Sequence, residues 1–245
     1  MKRGSGAEKY LPGTYSRKGR NAAELSDEYI KRWLQKPAGP EEFSTEYAIP
    51  PSICLSREIG VGALEIADAL SRKIGFRVLD REILELIAEK AGTGESAVFR
   101  FDERYLGKRY DFFLQAFTKK PFAKTQYLKH LFNVVTSIAT EESCIFVGRG
   151  VHHLLSGNRI LAVRIIASKD YRIKRIKELM AINEKQAEER IEEVDREQKE
   201  FFKNIYGQKH PSDYDFDLII NRNLFTEEKW VVEVMEQAFK QKFGA

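Results

Sequence analysis

The feature that most constrains the fold is a regular alternation, from residue 51 onward, between short apolar runs and segments with helical periodicity. The apolar runs are rich in β-branched residues and read SICLS, FRVL, CIFVG, ILAVRIIA and FDLII. Apolar residues recur at helical spacing in 65–74, 125–140 and 183–205. Continuously apolar strands that alternate with helices are typical of a parallel sheet covered on both faces. We therefore predict an α/β fold of three layers, with a central parallel sheet of about five strands.

Composition limits the class of protein. The chain has 245 residues and is 42% hydrophobic, which suits one large α/β domain with an appendage. Lys and Arg number 41 against 37 Asp and Glu, so the net charge of +4 does not indicate a broad nucleic-acid groove. We find no membrane-length apolar run and no apolar segment after the basic N-terminal residues, so we expect a cytoplasmic location. Cys54 and Cys144 lie in apolar runs and are predicted to be reduced and buried.

The first 49 residues differ from the rest. They are polar, basic and glycine-bearing, and we predict a partly disordered N-terminal arm, with the folded domain over 50–245. Within the arm, Leu25, Tyr29 and Trp33 indicate a short amphipathic helix. We expect this helix to pack on its own domain, and a homo-oligomer contact through the arm is the alternative.

The stretch ICLSREIGVGALEIADAL places a glycine turn between a predicted strand and a predicted helix. Gly60 and Gly62 permit a tight backbone path, in which successive N–H groups and the positive end of the helix dipole meet. This is the layout of a phosphate-binding loop, although the lysine and Ser/Thr of G-x-x-x-x-G-K-[ST] are absent. The predicted loop consists of Gly60, Val61, Gly62, Ala63, Leu64 and Glu65.

Five separated blocks resemble the cytidylate kinase-like family of P-loop proteins in order and spacing. They read SREIGVGALEIADALSRKIGFRVLDREILELIAEKAG, CIFVGRG, VRIIASKDYRIKRI, RIEEVDREQKEFFKNIYG and YDFDLIINRNLFTEE, and the resemblance covers roughly 51–241. The resemblance implies a P-loop NTPase fold with a helical insertion at about 93–125 for the acceptor nucleotide and a mobile lid at about 176–200. It implies transfer of the γ-phosphoryl group of ATP to CMP or dCMP, with Mg²⁺ carried mainly by the nucleotide.

The resemblance also assigns residues to the acceptor side and to the strand end beside the loop. Arg57 matches an S-R-E block and is expected to reach a phosphate, with a salt bridge to Glu58 as the alternative. Asp80 and Arg81 follow the second strand and match an acceptor-binding block. Arg149 follows the strand CIFVG and matches a G-R pair expected to contact the acceptor phosphate.

Arg172 and Arg175 match the arginines that begin the lid in this family. They stand three residues apart and share a helix face. Planar guanidinium groups there would clamp the donor phosphates or spread transition-state charge, and a solvated cationic face is the alternative. With Arg57, the expected substitute for the missing loop cation, they are the predicted catalytic residues.

Two positions depart from the family pattern. The loop arginine of relatives is Leu64 here, and an arginine of a V-D-x-x-R block is Gln198, which the helical periodicity turns inward. Lys199 is expected to pair with Asp195, four residues earlier. Because loss of a phosphate-directed cation can slow phosphoryl transfer by about 10³–10⁵-fold, we expect weakened turnover. An inactive nucleotide-binding regulatory module of the same fold is the alternative.

We predict no metal ion held by the protein's own side chains. No spacing identifies Asp102 or Asp195 as a further magnesium ligand. His152 and His153 are adjacent and are expected to point in different directions on a helix, so we do not expect the pair to bind a metal. The expected partners are nucleotide substrates, with no membrane and no specific nucleic acid. RNA binding by the aromatic and basic insertion is the least favoured alternative.

Overall fold

One sheet of parallel strands organises the part of the chain that the structure describes. The computed structural model describes residues 50–80, 135, 138–155, 159–207 and 210–244. The strands are β1 Ser52–Arg57, β2 Arg77–Asp80, β3 Cys144–Val147, β4 Ile160–Ile166 and β5 Leu218–Asn221. Their spatial order is β2-β3-β1-β4-β5, and every neighbouring pair is parallel. The predicted parallel sheet of about five strands is confirmed.

Four α-helices have both ends within the described residues, and residues 138–141 before β3 are also helical. They are α1 Ala63–Ile74, α2 Lys169–Met180, α3 Glu184–Tyr206 and α4 Glu228–Phe243. Two 3₁₀ turns, Val151–His153 and Asp213–Asp215, are called the first and second 3₁₀ turns below. The predicted helical segments 65–74 and 183–205 are confirmed as α1 and α3. The arm 1–49, the insertion 93–125 and most of the predicted helix 125–140 lie outside the described residues.

The start of α3 shows why this long polar segment is helical. The side chain of Asn183 accepts a hydrogen bond from the backbone N–H of Gln186, and the side chain of Gln186 accepts one from the N–H of Asn183. This capping box satisfies donors that a helix start leaves without partners. Further along, Ile191, Val194 and Phe201 form a buried stripe that holds α3 against the rest of the protein.

Apolar side chains cover both faces of the sheet. Successive strand residues point to opposite faces, so Ile53 and Leu55 pack with α1 and α4, whereas Cys54 packs with α3. The first face includes Ile53, Leu55, Ile66, Leu70, Ile145, Val163, Met235 and Phe239. The second includes Cys54, Phe146, Ala162, Ile138, Leu155, Phe201 and Ile205. The three-layer prediction is confirmed, and both cysteines are buried and free as expected.

The parallel arrangement brings the carboxyl ends of the strands to one edge, where open α/β sheets bind ligands. β1 is the central strand, and the turn after it leads into α1. Beside this edge, α2 and α3 share a small apolar core with the turn, formed by Ile59, Ile176, Ala187, Ile191 and Val194. The predicted lid, 176–200, comprises the end of α2 and most of α3. Among the described helices, none has the length and apolar character needed to cross a bilayer.

Candidate functional site

The turn between β1 and α1 has a backbone that favours glycine. Gly60 has a φ of +85° and Gly62 a φ of +79°, both in the left-handed region. A Cβ atom at Gly60 would lie 3.2 Å from the Cβ of Arg172, and one at Gly62 would lie 3.0 Å from Nη2 of Arg175. Glycine is therefore required at both positions for the path of the chain and for the close approach of α2.

The N-terminus of α1 follows this turn directly. Gly62 is the N-cap, and no described side chain caps the helix. The first-turn N–H groups are therefore available to an anion, with the positive end of the helix dipole behind them. Leu64 packs against the apolar core shared with α4. The loop position at which the family resemblance leads us to expect an arginine is thus used for core packing in this chain.

Arg175 supplies a guanidinium group at the mouth of the turn. Its Nη2 forms an ion pair with Oε1 of Glu65, in the first turn of α1. Its Nε lies 3.4 Å from the place a Gly62 Cβ would occupy. This Nε is buried and donates no hydrogen bond within the described residues. One guanidinium donor is therefore held by Glu65 while another adjoins the glycine turn without a partner.

Arg172 lies one helical turn earlier and is 93% buried, since its exposed fraction is 7%. Its Nη1 donates to Asp195 on α3, 2.9 Å from Oδ1 and 3.0 Å from Oδ2. Its Nε lies 3.7 Å from Oε2 of Glu58 and donates no hydrogen bond within the described residues. The same Glu58 oxygen accepts from the N–H of Ala167, 3.2 Å away. The expected pairing of Lys199 with Asp195 is wrong, because Arg172 takes that carboxylate.

The electrostatic surroundings of the α1 start are mixed. Burial raises the pKa of Glu228, and the negative charge of Glu65 raises it further. The guanidinium groups of Arg72, Arg222 and Arg175 oppose that rise. Three guanidinium groups and two carboxyl groups therefore lie close enough together to influence one another near the start of α1.

Arg149 occupies an unusual backbone conformation after β3. It has a φ of +55°, between Gly148 at +87° and Gly150 at +63°. A non-glycine residue with positive φ is uncommon and, where other contacts hold it, often marks a functional position. Its guanidinium carbon lies 4.6 Å from the ring centre of Phe201, and its carbonyl accepts the Tyr206 hydroxyl, 2.6 Å away. Packing from α3 thus fixes both the side chain and the backbone of Arg149.

Arg57 and Arg149 line one small cavity at the carboxyl ends of β1 and β3. The cavity has a volume of about 30 Å³. Its lining consists of Ser56, Arg57, Gly148, Arg149, Gly150, Gln198, Phe201 and Phe202. Gln198 therefore faces the two arginines, as the periodicity of α3 predicts. The lining thus contains two cationic side chains, Arg57 and Arg149, and a neutral Gln198 where the family resemblance leads us to expect an arginine.

Asp80 is the last residue of β2 and is buried. It stands in register with Val147, the last residue of β3, so it shares the sheet edge with the 148–150 turn. Arg81 lies outside the described residues. The structure thus places two groups of predicted residues on one edge of the sheet, Arg172 and Arg175 at the glycine turn, and Arg57 with Arg149 at the cavity.

Three contributors to the site were not assigned to it from the sequence. Glu58 lies beside Arg172, Phe201 packs under Arg149, and Arg222 donates to the carbonyls of 225 and 226 from the end of β5. The inward stripe of α3 already contained Phe201, so periodicity could have indicated it. Arg222 directly follows a strand, at the edge where ligands bind. No signal in the sequence distinguishes Glu58 from an exposed carboxylate.

The hydrogen bond from Tyr206 to the Arg149 carbonyl gives a first testable prediction. Substitution Tyr206→Phe keeps the ring and removes the donor, so we expect the free energy of unfolding to fall by about 0.5–1.5 kcal/mol. Urea denaturation measures this change. Tyr214→Phe is the matched control, because Tyr214 is 99% exposed and should leave stability unchanged. Equal midpoints for Tyr206→Phe and the unaltered protein would contradict a role for this bond in holding the turn.

The fold and the turn together define an α/β protein of the P-loop kinase type. The sequence model of the cytidylate kinase-like family matches residues 52–224. This match covers well over half of the chain, and the chain belongs to the cytidylate kinase-like family. Membership indicates a nucleotide-binding protein of kinase type. A search of curated proteins finds no match.

Solved structures resemble this chain at low sequence identity. An uncharacterized protein from Eubacterium ventriosum ATCC 27560 is 22% identical, with 76% of this chain and 98% of that chain covered and a TM-score of 0.56. TT1252 from Thermus thermophilus is 15% identical, with 79% of this chain and 98% of that chain covered and a TM-score of 0.48. Shikimate kinase from Bacteroides thetaiotaomicron is 15% identical, with 80% of this chain and 99% of that chain covered and a TM-score of 0.41. Of these, the first supports the fold assignment.

Proposed function

We propose that this protein is a nucleoside monophosphate kinase of cytidylate kinase type, which transfers the γ-phosphoryl group of ATP to CMP or dCMP. Family membership supports the kinase class, and the glycine turn before α1 supports phosphate binding. Phosphoryl transfer depends mainly on positioning and on neutralising phosphate charge. The residues at this sheet edge are suited to both tasks.

One observation carries the proposal. The Nε atoms of Arg172 and Arg175 are buried beside the glycine turn, and neither donates a hydrogen bond within the described residues. Buried donors without partners are costly, and a bound anion would supply the missing acceptors. Nucleotide phosphates are anions with many acceptor oxygens, and guanidinium groups match their geometry.

On the donor side, the backbone of 60–65 would hold the ATP phosphates while Arg172 and Arg175 contact them from α2. Mg²⁺ would be carried mainly by those phosphates, and it would offset their charge. Asp195 is engaged by Arg172, so it does not fit the role of a free magnesium ligand. Asp102 lies outside the described residues.

On the acceptor side, Arg149 and Arg57 would contact the phosphate of CMP from the cavity that they share. Asp80, buried at the end of β2, would accept hydrogen bonds from the acceptor nucleotide, with Arg81 beside it in the sequence. The insertion at about 93–125 would select the base, and the segment 176–200 would close as a lid. A cytoplasmic location and a homo-oligomer contact through 1–49 remain predictions of the sequence.

The proposed activity is weakened by two losses of cationic charge. Leu64 packs into the core where relatives have an arginine, and Gln198 lines the cavity where relatives have another. Arg175 is the described cation best placed to compensate, because its guanidinium group lies over Gly62.

A nucleotide-binding regulatory module that lacks turnover is the second candidate. The observation that favours it is the pairing of both lid arginines with carboxylates, Arg175 with Glu65 and Arg172 with Asp195. These pairs reduce the charge available to a transferring phosphoryl group. As such a module, the protein would bind ATP through backbone amides, and ATP binding would change its interaction with a partner.

A coupled assay of ADP formation with CMP, dCMP, UMP and AMP separates the two candidates. We expect CMP- and dCMP-dependent turnover above the background hydrolysis of ATP. Calorimetric titration with ATP and with CMP is the parallel measurement. Nucleotide binding without turnover for any acceptor would reject the kinase and support the module, whereas binding of neither nucleotide would reject both.

A further inference from the structure

A second cluster of side chains lies on the α3 side of the sheet, outside the nucleotide site. His152 and His153 belong to the first 3₁₀ turn and Asp215 to the second. One ring nitrogen from each histidine and one carboxylate oxygen of Asp215 lie within 4.8 Å of one another. The two imidazole centres are 4.1 Å apart. The expectation that these rings diverge is wrong, because the backbone forms a short 3₁₀ turn and the two side chains converge.

The histidines have ring nitrogens without protein partners. The Nε2 atoms of His152 and His153 are buried and take part in no hydrogen bond within the described residues. Nε2 of His153 is 4.0 Å from Oδ2 of Asp215, beyond hydrogen-bond distance. One ring nitrogen of each histidine and one carboxylate oxygen therefore lie close together, an arrangement in which a shared cation would satisfy all three groups.

We propose that His152, His153 and Asp215 form a binding site for a divalent transition-metal ion of the zinc class. Imidazole and carboxylate together suit Zn²⁺ and its spectroscopic substitute Co²⁺ better than Mg²⁺, which prefers oxygen ligands. Three protein ligands leave one position of a tetrahedral site for water.

Small side-chain rotations suffice to complete this site. Zinc bonds of about 2.0–2.2 Å place neighbouring tetrahedral ligands roughly 3.3 Å apart, so the ligand atoms would close by about 1.5 Å or less. The carboxylate is already oriented, since Oδ2 of Asp215 accepts from the N–H of Ser212, 2.7 Å away. The rings of Phe216 and Tyr206 pack against His152 and His153 respectively, 4.7 and 4.9 Å between centres. These two rings support the imidazoles from one side.

The position of the site indicates what the ion would do. The first 3₁₀ turn follows the Arg149 turn directly, and Tyr206 joins the two by bonding the Arg149 carbonyl while packing on His153. An ion bound by both histidines and by Asp215 would link the segment before β5 to the first 3₁₀ turn. We infer a structural role, in which the metal stiffens the support of Arg149, and this role does not depend on the kinase reaction.

Metal titration of the tag-free, metal-stripped full chain tests the site. Co²⁺ is added near neutral pH while the visible absorption of tetrahedral Co²⁺ is followed, and Zn²⁺ is then added as competitor. We expect one equivalent to bind, with displacement by Zn²⁺ and no effect of Mg²⁺. His153→Gln and Asp215→Asn should each weaken Co²⁺ binding by at least about a hundredfold. Loss of even an outer-shell partner of a ligand typically lowers metal affinity by about 10–100-fold, and these two residues are proposed as direct ligands.

Matched controls are present in the chain. His210→Gln and Asp213→Asn change exposed residues of the same types and should leave Co²⁺ affinity unaltered. Asp215→Asn keeps an oxygen that can accept from the N–H of Ser212, so this variant tests the ligand without removing the cap. Loss of the Co²⁺ spectrum only in the two ligand variants supports the proposal. Absence of tetrahedral Co²⁺ in the unaltered chain, or equal binding by the ligand and control variants, overturns it.

Discussion

Replacing Arg175 with alanine is expected to lower the kcat for CMP phosphorylation by about 10³-fold. The guanidinium group lies over Gly62, at the turn where Leu64 stands in place of the arginine expected from the family resemblance. Removal of a comparable phosphate-directed arginine slows phosphoryl transfer by about 10³–10⁵-fold. Lys174→Ala is the matched control, because it removes the same charge from an exposed neighbouring position and should change kcat less than about twofold.

A double variant separates contact with phosphate from simple neutralisation of Glu65. Arg175→Ala leaves the Glu65 carboxylate without its guanidinium partner at the start of α1. If Arg175 acts on the phosphates, Arg175→Ala with Glu65→Gln will recover part of the ATP affinity but not the kcat. Full recovery of kcat in the double variant would contradict the assignment of Arg175 as a catalytic residue.

Replacing Gly62 with alanine is expected to weaken ATP binding by about tenfold or more, a change of at least about 1.4 kcal/mol. The left-handed φ of +79° penalises a side chain, and the new Cβ would lie 3.0 Å from Nη2 of Arg175. Both effects disturb the turn whose amides would hold the phosphates. Calorimetric titration with ATP and Mg²⁺ measures the loss.

Gly75→Ala is the matched control for this substitution. Gly75 has a φ of +78°, and a Cβ there would meet nothing within 4 Å. Because both glycines have nearly the same left-handed φ, each substitution by alanine should lower the free energy of unfolding by about 1–2 kcal/mol. Only Gly62→Ala should lose ATP affinity. An equal loss of affinity in both variants would show that reduced stability, rather than the geometry of the turn, controls binding.

The fold could be predicted because its signals are local and repeated. Continuous apolar strands such as CIFV can only be buried on both faces, and the helical stripe of α3 has a single orientation that buries Val194 and Phe201. The glycine turn was equally visible, since a strand, two glycines and a helix occur in direct succession. These features depend only on residues that are close together in the sequence, so they can be recognised from it directly.

The pairing of charges could not be predicted in the same way. Arg172 bonds Asp195 on the next helix, and Arg175 bonds Glu65, which is 110 residues away in the chain. Such partners are set by the packing of α2 against the turn, and many carboxylates in the sequence would serve equally well. Helical spacing suggested Lys199 for Asp195, but an i, i+4 pair on an exposed face is weaker than a buried guanidinium with two carboxylate contacts.

The convergence of His152 and His153 shows another limit of periodicity. Side-chain directions derived for an α-helix do not apply to a turn of three residues. The second 3₁₀ turn, which supplies Asp215, lies 62 positions beyond His153 by residue number. A cluster formed by two short turns leaves no spacing in the sequence from which it could be recognised.

The central claim is that the amides of 60–65 hold the phosphates of ATP. A crystal structure of the protein with a non-hydrolysable ATP analogue, Mg²⁺ and CMP tests it most directly. We expect phosphate oxygens within hydrogen-bond distance of those amides and of Nε of Arg175, with the CMP phosphate near Arg149. An analogue bound elsewhere, with the amides of the turn directed away from its phosphates, would show that the turn is not the phosphate-binding loop.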